Sequence, residues 1–89
     1  MSNDIIYLNH IFAAMEQIDR YTRGMSESEF LSRAMVQDAV VRQIEIIGEA
    51  ARNVSQLYRD AHPEIPWRKI IAQRHVLAHE YGEVKHESI

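Results

Sequence analysis

The 89-residue chain has no cysteine, which excludes both a disulfide framework and a thiolate metal site. It has two prolines and three glycines, and no repeat, low-complexity tract or linker-like stretch. Its apolar runs are only a few residues long, too short to span a membrane. The opening Met1-Ser2-Asn3-Asp4 lacks the basic segment and apolar region of a signal peptide, so the expected location is the cytoplasm. Positive charge is also scarce. A formal net charge of −3 argues against a domain that coats nucleic acid through a broad basic surface, but leaves room for one focused basic cleft.

What remains is ordinary globular material. Hydrophobic residues make up 46% of the chain, which excludes intrinsic disorder. The length suits one domain over residues 1–89, which buries about two-thirds of its unfolded surface. A domain this small, without covalent staples, gains burial by association, so a homodimer or a partner complex is expected.

The periodicity is helical throughout. Ile5, Leu8, Phe12, Met15 and Ile18 recur at steps of three and four, predicting a first helix from Asn3 or Asp4 to Thr22 or Arg23, stopped by Gly24. Ile6 and Ile11 widen that stripe and predict contact from two sides. Ser26 and Glu29 have the spacing of a capping box, and the turn through Phe30 and Leu31 is expected to lead almost unbroken into a long helix. Val40, Ile44, Ile47, Ala51, Val54 and Tyr58 carry that helix to about Arg59. Gly48, Ala50 and Ala51 make a small-residue patch for close helix approach, which would offset the cost of about 1 kcal/mol that glycine incurs inside a helix. His62-Pro63-Glu64-Ile65-Pro66 reads as a turn, and a last helix starts near Trp67 and reaches at least Leu77. The expected fold class is all-α, an antiparallel helical bundle.

In the last helix Trp67, Ile70, Arg74, Leu77 and Tyr81 follow steps of 3, 4, 3 and 4, which places Arg74 in the apolar stripe. A guanidinium cannot shed its charge, so it needs a carboxylate partner or a cleft that anions enter. Glu49 is the expected partner, in a structural ion pair. His79 lies five residues on, about 140° around a continuous helix, so Arg74 and His79 serve one cleft only if the helix ends there or two subunits share it. Gly82 supports an ending. Arginine offers forked donors to phosphate oxygens and histidine moves protons near neutral pH, a combination suited to phosphodiester chemistry. Arg and His occur five apart by chance in many proteins, so spacing leaves both readings open. His75 and His79, one turn apart, form a half-built metal site: Glu80 points elsewhere and His86 lies beyond Gly82, so no metal ligand is assigned. His10 and His62 read as solvated or turn residues.

The run Arg74-His75-Val76-Leu77-Ala78-His79-Glu80-Tyr81 resembles the R-x4-H-x-Y signature of HepT-like proteins in the HEPN superfamily. Ile46-Ile47-Gly48-Glu49-Ala50-Ala51 and Ile65-Pro66-Trp67 extend the resemblance over most of the chain, although His75 stands where asparagine is common. The resemblance implies a HEPN-like bundle and a metal-independent ribonuclease toxin acting as a dimer on RNA, with tRNA one candidate substrate. It implies that Arg74 binds the scissile phosphate and that His79 is the general acid/base; Glu49, the partner expected for Arg74, is the supporting residue. It further implies an MntA-type nucleotidyltransferase antitoxin that silences the toxin by adding AMP to Tyr81. HepT-like chains usually continue past the motif tyrosine through another helix, whereas this sequence stops at Ile89 after loop-like residues, so a bundle without the usual last helix is expected. The alternative is a non-catalytic helical dimerisation or interaction module in which Arg74–Glu49 is only structural.

Overall fold

The computed structural model describes residues 3–73, and these residues contain helices and no strand. Helix α1 (Asn3–Thr22) and helix α3 (Ala34–Asn53) form the body, joined through the short helix α2 (Glu27–Ser32); α4 (Gln56–Ala61) follows, and α5 is helical over its described residues, 67–73. Gly24 ends the first connection with φ of 73°, a left-handed conformation that side chains resist. The capping box is formed: Ser26 Oγ accepts from the Glu29 amide at 3.1 Å, and the Glu29 carboxylate accepts from the Ser26 amide at 3.0 Å. Hydrogen bonding to Ser26, first its backbone amide and then its side chain, holds the Glu29 carboxyl below its ordinary pKa.

Two breaks depart from the periodic reading. Arg33, extended at φ −115° and ψ 92°, separates α2 from α3, and the Gln37 amide accounts for two carbonyls freed there, donating to Phe30 at 2.8 Å and Leu31 at 2.9 Å. The long helix also stops at Asn53 rather than near Arg59. Val54 is extended, and Ser55 caps α4 by accepting from the Tyr58 amide at 3.1 Å. Asp4 enforces the second break. Its Oδ1 accepts from the Ser55 amide at 2.8 Å and its Oδ2 from the Ser55 hydroxyl at 2.7 Å. A helical Ser55 would have used its amide within α3, so the first turn of α1 sets where α3 ends. The Ser55 hydroxyl and then its amide pull the Asp4 pKa below the ordinary value.

That contact makes α1 and α3 antiparallel, with the start of one against the end of the other. Gly48, Ala50 and Ala51 are buried as the small-residue patch predicts. The core gathers Ala51, Val54 and Trp67, with Tyr7, Leu8, Ile11, Tyr58, Ile65, Ile70 and Ile71 packed around them. The predicted stripe of α1 is therefore rotated: Leu8 and Ile11 pack inward and Ala14 is buried, while Ile5, Ile6, Phe12 and Met15 are exposed. The turn at His62–Pro66 is closed by the Trp67 indole, which donates to the His62 carbonyl at 3.0 Å, while the His62 ring stacks on Tyr58 with centroids 4.4 Å apart. Pro66 provides the first helical carbonyl of α5, accepting from the Ile70 amide at 3.0 Å. Trp67 packs beside Ala51 and Val54, and Ile70 and Gln73 share a groove with Ile44 and Ile47, so α5 runs back along α3. No helix among the described residues is long and apolar enough to cross a membrane.

Candidate functional site

The described part of α5 has a defined place against the core. Trp67 anchors α5 at the closed end of the core, and Ile70 and Ile71 hold it against the helix that carries Glu49. Gln73 is the last described residue. Arg74, His75, His79, Glu80, Tyr81, Gly82 and His86 lie outside the described residues, and with them the expected Arg74–Glu49 pair and Arg74–His79 cleft.

Glu49 itself is described. It sits on the polar side of α3, its side chain 46% exposed, and accepts from Arg52 Nη2 at 3.4 Å and from Asn53 Nδ2 at 3.3 Å. An exposed pair one helical turn apart contributes only about 0.5 kcal/mol, so these contacts steer the carboxylate without burying it. Glu49 lines a cleft of about 370 Å³ between α1 and α3, together with Tyr7 and His10 from α1 and Arg42, Glu45 and Asn53 from α3. The ring edges of Tyr7 and His10 meet there, with centroids 6.2 Å apart. His10 is exposed and His62 sits half-buried in its turn, as expected of both. The cleft mixes a cation, two carboxylates and an imidazole, a set that can bind a polar ligand and relay protons. Among the described residues no group of three histidines, aspartates or glutamates is placed to hold a metal ion.

Sequence reasoning missed the Asp4–Ser55 contact, for which no local signal exists. It also missed a second cleft, at the corner of α4 and α5, where Arg59 meets the adjacent Arg68 and Lys69 from across the turn.

The family model for ribonuclease HepT-like proteins matches residues 11–89, a span that includes α3, α5 and the whole R-x4-H-x-Y run. The chain belongs to the ribonuclease HepT-like family. Among its HepT-like relatives, a probable ribonuclease HepT of Thermococcus cleftensis is 43% identical over 75 residues, covering 84% of this chain and 68% of that protein. A Methanocaldococcus jannaschii protein, named gamma-glutamylcyclotransferase and candidate RNase, is 42% identical over 82 residues, covering 91% of this chain and 37% of its own length. A candidate RNase of Caldanaerobacter subterraneus is 36% identical over 83 residues, covering 93% of this chain and 74% of that protein. No solved structure matches the chain.

Proposed function

We propose that this HepT-like chain is a metal-independent endoribonuclease, the toxin of a HepT/MntA-type toxin–antitoxin pair. The observation that carries the reading is the family match across residues 11–89, which takes in Arg74, His79 and Tyr81 in their motif spacing. The Arg74 guanidinium holds the scissile phosphate through forked donors, which strengthen as charge builds on the phosphoryl oxygens. The neighbouring ribose 2′-OH attacks phosphorus: the 2′-O–P bond forms, the bond to the 5′-oxygen breaks, and a 2′,3′-cyclic phosphate is left. His79 transfers protons at the attacking and leaving oxygens. Glu49, steered by Arg52 and Asn53, supports the cations of the site.

The proposed active form is a homodimer whose interface lies near α5, so that two Arg74–His79 sets face a shared cleft. The exposed Ile5, Ile6, Phe12 and Met15 on α1 support association, because a small monomer gains burial by covering such residues. The proposed regulator is an MntA-type nucleotidyltransferase that adds AMP to the Tyr81 hydroxyl. Its phosphate then competes for Arg74 and its nucleoside fills the path of the RNA.

The test is cleavage of RNA, tRNA included, in excess EDTA by the purified protein, either untreated or treated beforehand with the nucleotidyltransferase and magnesium ATP. Cleavage is expected to survive chelation, to stop after AMP transfer to the wild type, and to persist in Tyr81→Phe. Activity lost on chelation contradicts the metal-free mechanism. A Tyr81→Phe protein that is modified and silenced like the wild type contradicts the role given to Tyr81.

A further inference from the structure

We propose that the cleft at the α4–α5 corner binds the phosphodiester backbone of an RNA strand, through residues outside the R-x4-H-x-Y run. The identity of the strand as RNA rests on the ribonuclease reading. The cleft has a volume of about 490 Å³ and is lined by three cations, Arg59 from α4 and Arg68 and Lys69 from α5, against one carboxylate, Asp60, above Ile65, Pro66 and Trp67. Three cations in one concavity repel each other, and this chain carries an overall charge of −3, so their convergence is local.

None of the three is in an ion pair among the described residues. Three of the five arginines elsewhere among the described residues pair within one helical turn: Arg23 with Asp19, Arg33 with Glu29 and Arg52 with Glu49. The carboxylates near the cleft are engaged differently. Asp60 Oδ1 accepts from the Gln56 amide at 2.8 Å, and Glu64 faces His62 Nδ1 at 3.3 Å. Arg59 also keeps its Nε–H buried, with no acceptor among the described residues.

The same geometry shows which part of a nucleic acid fits. Single-strand sites that hold bases present exposed aromatic faces for stacking. Here the indole of Trp67 is buried, and its N–H is taken by the His62 carbonyl. What the cleft offers a strand is cationic donors, which contact phosphate and carry no sequence information. It therefore holds the strand in register without selecting bases.

The test is the salt dependence of binding to a labelled single-stranded 2′-O-methyl RNA, which has no 2′-OH to attack and survives the measurement. Arg68 and Lys69 are exposed, so Arg68→Ala/Lys69→Ala is expected to fold as the wild type does. Losing two phosphate contacts should make the slope of log affinity against log salt shallower by about 1.4, and lower affinity roughly tenfold at about 0.1 M salt. Arg20→Ala/Arg23→Ala, which changes net charge equally at a distance in the fold, should keep the wild-type slope. An unchanged slope in Arg68→Ala/Lys69→Ala, or an equal loss in the control pair, overturns the proposal. Cleavage of unmodified RNA by the wild type is scored separately. A strand that binds through the cleft but is never cut leaves this inference standing and removes the ribonuclease reading. A strand that is cut while Arg68→Ala/Lys69→Ala binds normally does the reverse.

Discussion

Where α1 begins and α3 ends, Asp4, Ala51, Val54 and Trp67 are all buried, and one carboxylate ties the two helices together through Ser55. At the opposite end, where the chain passes Gly24 into α2, Leu31 is 65% exposed and Met35 85% exposed, and the order there is local: a capping box and a glutamine bridging two carbonyls. Long-range burial holds the first end and short-range hydrogen bonds hold the second. The closed end is also where α5 starts, so buried packing orients the described residues of that helix. A site must be held to within a fraction of an ångström to work, and scaffolds do this by placing it next to rigid packing.

The largest effect should come from Trp67→Ala. The buried indole joins the turn, α4 and α5 to the core, and its loss should cost about 3–5 kcal/mol. For a chain this short that lowers Tm by more than about 10 °C in thermal unfolding. A loss under about 1 kcal/mol would mean that the closed end is not where stability resides.

A smaller, pH-dependent effect belongs to Asp4. Its folded pKa is depressed by the Ser55 hydroxyl and amide, so its contribution is complete above the ordinary carboxylate range and disappears as pH falls through the folded value. In denaturant titrations below about pH 4, the wild type should lose this increment, whereas Asp4→Asn should be less stable at neutral pH and lose less on acidification. Parallel pH profiles for the two proteins would remove the Asp4–Ser55 lock from the account.

The smallest effect should be Met35→Ala, within about 0.5 kcal/mol, because the side chain touches little. A cost above about 1 kcal/mol would turn the open end into a buried interface between copies and erase the contrast.

How far the sequence carried this structure follows from the same contrast. Features set by neighbours in sequence were legible: the bounds of α1, the stop at Gly24, the Ser26–Glu29 box, the turn before Trp67 and the small-residue patch on α3. The end of α3 was not. Val54 and Tyr58 meet the same core on either side of the break, so the apolar period runs straight through it, and Ser55 reads as an ordinary interior residue until Asp4, 51 positions away, is seen to bind it. The face of α1 was misread for a related reason. Periodicity finds an apolar stripe, but the face of α1 that packs on the core carries Tyr7, Leu8 and Ile11, with Ala14 also buried, leaving Phe12 and Met15 outside. The motif residues were named through their resemblance to a family, and they lie outside the described residues, as does the Arg74 contact expected of Glu49. The α4–α5 cleft was not legible, because only the turn brings Arg59 to the neighbouring Arg68 and Lys69.

The central claim is that His79 moves the proton in RNA cleavage, and the most direct test is the single-turnover rate of His79→Ala beside the wild type on one RNA in EDTA. The account predicts a loss of about 10²–10⁴-fold with an unchanged circular dichroism spectrum, the wild-type products carrying 2′,3′-cyclic phosphate ends. Cleavage by His79→Ala at the wild-type rate would contradict it.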